Sequence, residues 1–399
     1  MQYDVAIIGA GIVGLATAYQ LSEKQPGLRI AVIDKEAGVA RHQTGNNSGV
    51  IHSGIYYTPG GSKALNCRRG YDYLLRFAQA HGIPHEVCGK VIVATRKAEV
   101  PALEGILKTG QANGLEGIRM IGREACREIE PHVDAIQGIW VPQSGIISYR
   151  AVAEKYLELV QRRAGEALPG YTVQDIDLRP GQVTVVTDHG EVNCRLVINC
   201  AGLYSDKIAR MTMPAINLKI IPFRGEYYEL RPEKQYLVNN LIYPVPNPNF
   251  PFLGVHFTRM ISGGIEAGPN AVLAFRREGY SRYDVDLREL FETLSYSGFQ
   301  QIARKYWRDG LGELYRSFSK SAFVRALQHL IPEITGADLV RGGAGVRAMA
   351  CGPNGELIDD FLFLEKPGVI NVCNAPSPAA TASLAIGETV AEKALKHLN

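Results

Sequence analysis

The chain is 399 residues long, 46% apolar and 21% charged, with 43 Lys+Arg against 40 Asp+Glu and 7 cysteines. That length suits two domains or one large composite with a sizeable core, which excludes a disordered chain, a collagen-like repeat and a disulfide-stapled mini-protein. Balanced charge without a Lys/Arg block argues against a nucleic-acid partner, and cysteines scattered without CxxC or His/Cys spacing argue for reduced thiols, a cytoplasmic setting and no metal site.

Val5–Ser22 carries no charge, so it has the length of a membrane span and lies where a signal peptide would. Asp4 precedes it, no basic segment flanks it, and Gly9, Gly11 and Gly14 interrupt it. A buried strand (3–8), a tight turn and a helix to about Lys24 account for it better. GxGxxG between strand and helix is the dinucleotide fingerprint. Gly9 permits the turn, Gly11 lets backbone approach a pyrophosphate and Gly14 allows close helix–strand packing. The first-turn residues Ile12 and Val13 present amides and a positive dipole end to phosphate. A second strand, 29–33, ends at Asp34, placed to accept from an adenosine ribose, with Lys35 beside it.

An NAD-binding chain would continue with β-α repeats. Here His42–Ser62 is instead a long irregular stretch without Lys, Arg, Asp or Glu, and such loops are usually functional. Gln43, Thr44, Asn47, Ser48, Gly49 and Val50 are small or neutral polar residues suited to lying along a large uncharged ring system, with His52, Tyr56 and Tyr57 following. FAD is therefore the expected cofactor.

Further along, 90–95, 138–142, 220–230, 253–259 and 264–272 alternate like antiparallel strands, with helical stretches near 98–113 and 284–306. Two short apolar runs read as buried parallel strands: 196–200, whose end brings Cys200, Ala201 and Gly202 close to a cofactor, and 369–373. Pro376, Ser377, Pro378, Ala379 and Ala380 then read as a helix start. The fold class is thus α/β, with an α+β second domain: a Rossmann-like FAD-binding domain of glutathione-reductase type, built from 1–85, 145–215 and 335–399, and an inserted antiparallel-sheet substrate domain of 86–144 and 216–334.

The blocks HQTGNNSGVIHSGIYYTPG (42–60), VPQSGIISYR (141–150), PFRGEYYEL (222–230), PFLGVHFTR (251–259), AGPNAVLAFRREGY (267–280) and NAPSPAATA (374–382), in this order behind the fingerprint, resemble the L-2-hydroxyglutarate oxidase/dehydrogenase family of the D-amino-acid-oxidase-like superfamily. The resemblance implies FAD and oxidation of a small dicarboxylate hydroxy acid, L-2-hydroxyglutarate, to 2-oxoglutarate by hydride transfer from C2 to flavin N5; no covalent flavin attachment is evident in the sequence, so non-covalent FAD is expected. It adds Val173 to the cofactor contacts and gives the helix after 376–380 the task of stabilising charge on the reduced ring. Its link to respiratory enzymes makes a membrane quinone or an electron-transfer partner, and peripheral attachment to the inner membrane face, an expectation; oxygen stays open as acceptor. An amine or amino-acid oxidase and an electron-relay flavoprotein without its own small substrate are the alternatives.

Such chemistry needs a base and cations for the carboxylates. His52, inside the charge-free segment, is the first candidate base. His256, alternating with apolar residues, is the second. Arg347, after the glycines of GGAGVR, matches the superfamily's substrate-side arginine and is expected at the C1 carboxylate, although Ala348 stands where proline is commoner; an ion pair with Asp359 or Asp360 is the bland alternative. Arg224 is a candidate for the distal carboxylate, with Glu226 two residues away as its structural competitor. Tyr56 and Tyr57 offer phenolic donors.

Overall fold

The structure is a computed structural model that describes residues 2–247 and 253–399. Pro251 and Phe252, at the head of one motif above, lie outside the described residues.

The charge-free N-terminal run folds as the strand Val5–Ile8 and the helix Ile12–Lys24. Among the described residues no helix is long and apolar enough to cross a membrane. Val5–Ile8 sits inside a six-stranded sheet ordered Leu362–Lys366, Val369–Asn374, Leu196–Asn199, Val5–Ile8, Ile30–Asp34, Gly165–Pro169. All neighbours are parallel except the first hairpin. The central strands are buried on both faces, which is why they read as unbroken apolar runs. Helices Ile12–Lys24, Tyr149–Gln161 and Ser383–Leu398 cover one face around Leu15, Leu21, Val152, Tyr156 and Val390. A three-stranded meander, Val173–Arg179, Gln182–Thr187 and Gly190–Cys194, covers the other through Ile176, Val183, Val185 and Val192.

A nine-stranded sheet forms the rest. Its path runs Val272–Leu273, Lys219–Leu230, Ile265–Gly268, His256–Arg259, Leu241–Pro244, Lys90–Ala94, Gln137–Val141, Arg119–Gly122, and Leu339–Cys351 pairs along Lys219–Leu230. Three expectations change here. The sheet is mixed, because Lys90–Ala94 runs parallel to Leu241–Pro244. The segment 264–272 is two strands, since Pro269 supplies no ladder N–H. Leu339–Cys351, assigned from sequence to the nucleotide-binding part, belongs to this sheet: its alternating small residues suit close pairing with a neighbouring long strand.

The two faces of this sheet differ. Val91, Val93, Ile242 and Phe257 point to a core shared with the helix Lys320–Leu327. Ile92 and Tyr243 point the other way, to a core that includes Ile55 and Leu103. A small sheet of Val50–Ile51, Gly145–Ile147 and His85–Glu86 pins the charge-free segment between the two large sheets.

Candidate active site

The glycine turn is as tight as its spacing demands. Gly9 has φ +109°, and a Cβ there would lie 2.4 Å from the Cys200 carbonyl oxygen; one on Gly14 would lie 2.1 Å from the Gly9 oxygen. Only hydrogen fits at either place. Asp34 is held at its strand end by the Ala10 amide at 2.7 Å and the Glu36 amide at 2.9 Å, and Thr44 Oγ1 accepts from the Ile12 amide at 2.9 Å. The amides of Gly170 and Tyr171 donate to the carbonyls of Glu36 and Asp34, so the turn that leads into Val173 lies beside Asp34. Ala201 N donates to Asn199 Oδ1, fixing the turn of Cys200, Ala201 and Gly202 against the glycine loop. Burial pushes the Cys200 thiol up to about 12, so it stays a thiol.

Next to Asp34 opens a cleft of ≈ 380 Å³ lined by Glu36, Arg41, His42, Arg150, Arg276, Glu278 and Tyr280. Glu36, His42 and Glu278 gather there as three potential metal ligands. Lys35 Nζ lies 2.7 Å from Glu36 and 2.5 Å from Glu278, so the carboxylates already have a cation.

The charge-free segment is tied down at both ends. Asn47 Nδ2 donates to the carbonyls of Gln43 and Thr44, Asn47 Oδ1 accepts from Gly49 N, and Ser48 Oγ donates to the Tyr227 hydroxyl at 3.2 Å. The His52 amide donates to Thr381 Oγ1, which also bonds the Tyr149 hydroxyl; that hydroxyl donates to the Val50 carbonyl. Tyr57 bonds the Ser377 side chain. The segment therefore runs against the turn at Pro376, Ser377, Pro378, Ala379 and Ala380. Regular helix begins only at Ser383, not within 376–380 as expected: two prolines without N–H groups leave a stretch of turns first, closed by Ala379 N to Pro376 O and Ala382 N to Pro378 O.

A glycine cradle at a helix N-terminus, an acid at the second strand end and a neutral loop laid against an amide-rich turn fit the three parts of FAD: pyrophosphate, ribose and ring. Gly9, Gly11, Ile12, Val13, Gly14, Asp34 and Lys35 would hold the nucleotide. Ser48, Gly49, Val50 and the 376–380 turn would hold the ring end, with Thr44 at the helix N-terminus beside the pyrophosphate.

Beyond the loop, one face of the nine-stranded sheet carries the candidate chemistry. His256 pairs opposite Gly268, and its face is also that of Tyr243 and, through the parallel register with Ile92, of Lys90. The His256 and Tyr243 rings are 4.0 Å apart. His256 Nδ1 lies 2.9 Å from the Gly254 carbonyl. A carbonyl can only accept, so Nδ1 carries the hydrogen and Nε2 the lone pair. Burial and the charges of Arg347 and Lys90 hold His256 down to about 4. Burial, Lys90 and His256 hold His52 down to about 3. Both imidazoles are neutral at neutral pH, and Arg347 and His256 lie within electrostatic reach of one another.

The two arginines separate. Arg347 stands opposite Phe223, and Arg224 opposite Val346. Neighbours along a strand face opposite sides, so Arg224 points away from the face to which Arg347 belongs. Arg224 is 2% exposed, pairs with Glu226 at 3.0 Å and donates to the carbonyls of Gly279 and Ser281. Its donors hold the segment 279–281, the structural role that Glu226 offered as competitor to a substrate anchor. Asp359, the bland alternative for Arg347, pairs with Lys63 at 2.7 Å. Tyr56 turns its ring toward Lys90, while its hydroxyl is buried and has no hydrogen-bond partner among the described residues.

Sequence reasoning missed Lys90, Tyr227, Tyr243 and Glu266, all on or beside this face. Burial pushes the Glu266 carboxyl up to about 7. The available signal was Lys90 heading the apolar strand KVIVA, a charged residue where alternation predicts burial.

The FAD dependent oxidoreductase family model matches residues 4–393. The chain is 55% identical over 397 residues to L-2-hydroxyglutarate dehydrogenase of Indibacter alkaliphilus, covering 99% of this chain and 100% of that protein. It is 44% identical over 392 residues to L-2-hydroxyglutarate dehydrogenase of Escherichia coli K12, covering 98% and 93%. Among solved structures, L-alpha-glycerophosphate oxidase of Mycoplasma pneumoniae with FAD bound has the same fold, with TM-score 0.80 at 23% identity over 100% of this chain and 95% of that one. Because the family match takes in the nine-stranded sheet as well as the nucleotide-binding one, the chain belongs to the FAD dependent oxidoreductase family.

Proposed function

We propose that this enzyme oxidises L-2-hydroxyglutarate to 2-oxoglutarate. The observation that carries the reading is two neutral histidines and Arg347 gathered where the charge-free loop meets the nine-stranded sheet; the full-length relatives named for this activity support the substrate. Arg347 receives the C1 carboxylate in a bidentate grip. His256, with its tautomer fixed by the Gly254 carbonyl, takes the C2 hydroxyl proton on Nε2, and His52 orients that hydroxyl. An arriving anion raises the proton affinity of both imidazoles, so the base strengthens as the substrate binds. Bound FAD supplies the two-electron acceptor for the C2 hydrogen. Anaerobic mixing with L- and D-2-hydroxyglutarate, glycine and sarcosine tests this. The L-acid alone should bleach the oxidised flavin band; bleaching by an amine and not by the hydroxy acid overturns the reading, and no bleaching by any of them favours an electron relay.

We infer that the electrons leave at a membrane surface, to a quinone. Helix Ser297–Phe318 turns Trp307, Leu311, Leu314, Tyr315 and Phe318 outward, and helix Leu287–Leu294 does the same with Leu287, Phe291 and Leu294. Exposed Arg304, Lys305 and Arg308 lie alongside and outnumber the exposed acids Asp309 and Asp286, while Glu313 turns inward to bond the Ala271 amide. An apolar stripe with basic flanks suits an anionic lipid interface. Co-sedimentation with anionic vesicles should be lost in Trp307→Ser/Phe318→Ser; binding unchanged in the double variant, or a self-associating protein that ignores vesicles, overturns this.

A further inference from the structure

Lys90 is 1% exposed, yet among the described residues no carboxylate lies within salt-bridge distance of it. An isolated ammonium inside a protein is costly, and such groups are ordinarily paired or functional. Its surroundings are not those of a structural ion pair. The Nζ sits over two aromatic rings, Tyr56 at 4.9 Å and Tyr243 at 4.7 Å from the centroids. Among the described residues, neither the buried Tyr56 hydroxyl nor the buried Ser53 hydroxyl has a hydrogen-bond partner. The amine and the hydroxyl of the Tyr56 ring beside it thus stand ready for acceptors that the described residues do not provide.

The placement relative to the proposed chemistry is equally specific. Tyr243 bridges Lys90 to the His256 ring, and His256 feels the charges of both Lys90 and Arg347. The two cations flank the proposed base, one for each end of a bifunctional anion.

Resting on the substrate assignment above, we propose that Lys90, with the Tyr56 hydroxyl, receives the distal carboxylate of the substrate and so makes the site selective for dicarboxylates over monocarboxylates. The surrounding rings stabilise the ammonium through their faces while no anion is bound. Burial lowers its proton affinity to about 7, and an incoming carboxylate restores it. Arg224, expected in this place from its residue type, gives way to a lysine that faces the correct side of the sheet.

The test compares flavin-loaded wild type with Lys90→Met, which keeps the aliphatic stem. Unreactive glutarate and valerate, which differ by a carboxylate in place of a methyl, are titrated by the flavin difference spectrum. L-2-hydroxyglutarate and L-2-hydroxyvalerate serve as the reactive pair. Loss of a charged hydrogen bond in a desolvated site predicts about 10- to 100-fold weaker glutarate binding in Lys90→Met, with a matching rise in KM for the dicarboxylate. Valerate affinity should stay within about 2-fold, since its end makes no such bond. Because the variant removes an uncompensated buried charge, its melting temperature should hold or rise. Equal losses for both acids, unchanged glutarate binding, or a fall in flavin content would each overturn the proposal. If wild type binds glutarate through Lys90 but does not oxidise L-2-hydroxyglutarate, the carboxylate site stands and the substrate assignment fails.

Discussion

At the carboxyl ends of the six-stranded sheet, what is offered to a ligand is mostly backbone: the turn through Gly9 and Gly14, the amides of the first helix, the small-residue stretch around Pro376. On one face of the nine-stranded sheet it is mostly side chain: Lys90, Tyr243, His256, Arg347. On the proposed reading, the first region would take phosphate and a neutral ring by keeping Cβ atoms out of the path of the cofactor, and the second would take a small anion by holding cations within the fold. A backbone site is unforgiving of added atoms, and a side-chain site is unforgiving of lost ones. The substitutions that damage each are therefore opposite in kind.

Gly14→Val should have the largest effect. The added atoms meet the Gly9 carbonyl, itself fixed against Cys200, and neither can retreat without moving the central strand. Purified variant should carry little or no flavin and melt at a lower temperature than wild type. A variant that kept full flavin content would show that the loop adapts and that the contrast between the two regions is overdrawn.

Next comes a pair of arginines on adjacent strands. Arg347→Met should lower kcat/KM by about 100-fold or more while leaving the fold intact, because a bidentate carboxylate contact in a desolvated site is lost. Arg224→Met should do the reverse. It leaves Glu226 to Arg282 and Asn270 and frees the carbonyls of Gly279 and Ser281, and leaving buried acceptors unpaired costs about 1–3 kcal/mol. Thermal melts beside steady-state kinetics decide it: a selective kinetic loss in Arg224→Met with an unchanged melt would return that residue to the substrate site.

These cases also show what could be read from the chain. GxGxxG, Asp34 and the charge-free loop were legible because a backbone site is written locally, as glycine spacing and missing charge. The family blocks extended this to the chemistry. The face on which a strand residue lies was not legible. Arg224 and Arg347 are both arginines in apolar strands, and only the pairing of Phe223 with Arg347 sends them to opposite sides. Nor was the setting of Lys90 legible, since its burial depends on a parallel partner, Leu241–Pro244, distant in sequence. The strand 339–351 was placed with the wrong sheet for the same reason. The late start of the last helix was hidden differently: proline at a helix start is favourable, and only two prolines in close succession delay it.

The smallest effect expected is the most diagnostic of the second region, because it concerns stability without any substrate. The Lys90 value in the folded protein, about 7, lies below the ordinary 10.5 of an unfolded chain. Below pH 7 the amine is charged in both states, and its burial penalty is fully present. Between the two values the unfolded chain holds a proton that the folded protein has released, so stability rises with pH across that window. Above it both states are neutral and the slope vanishes. Other groups add slopes of their own, Glu266 below this window, between 4.5 and about 7, and the thiol of Cys67 at its upper end, from 9.0 to about 12. The comparison is therefore between wild type and Lys90→Met in the same buffers. Denaturant midpoints should show Lys90→Met more stable near pH 6 and the two proteins converging as pH approaches 10. Parallel curves, with no convergence, would mean that Lys90 remains charged in the folded protein throughout and has an anionic partner in solution after all.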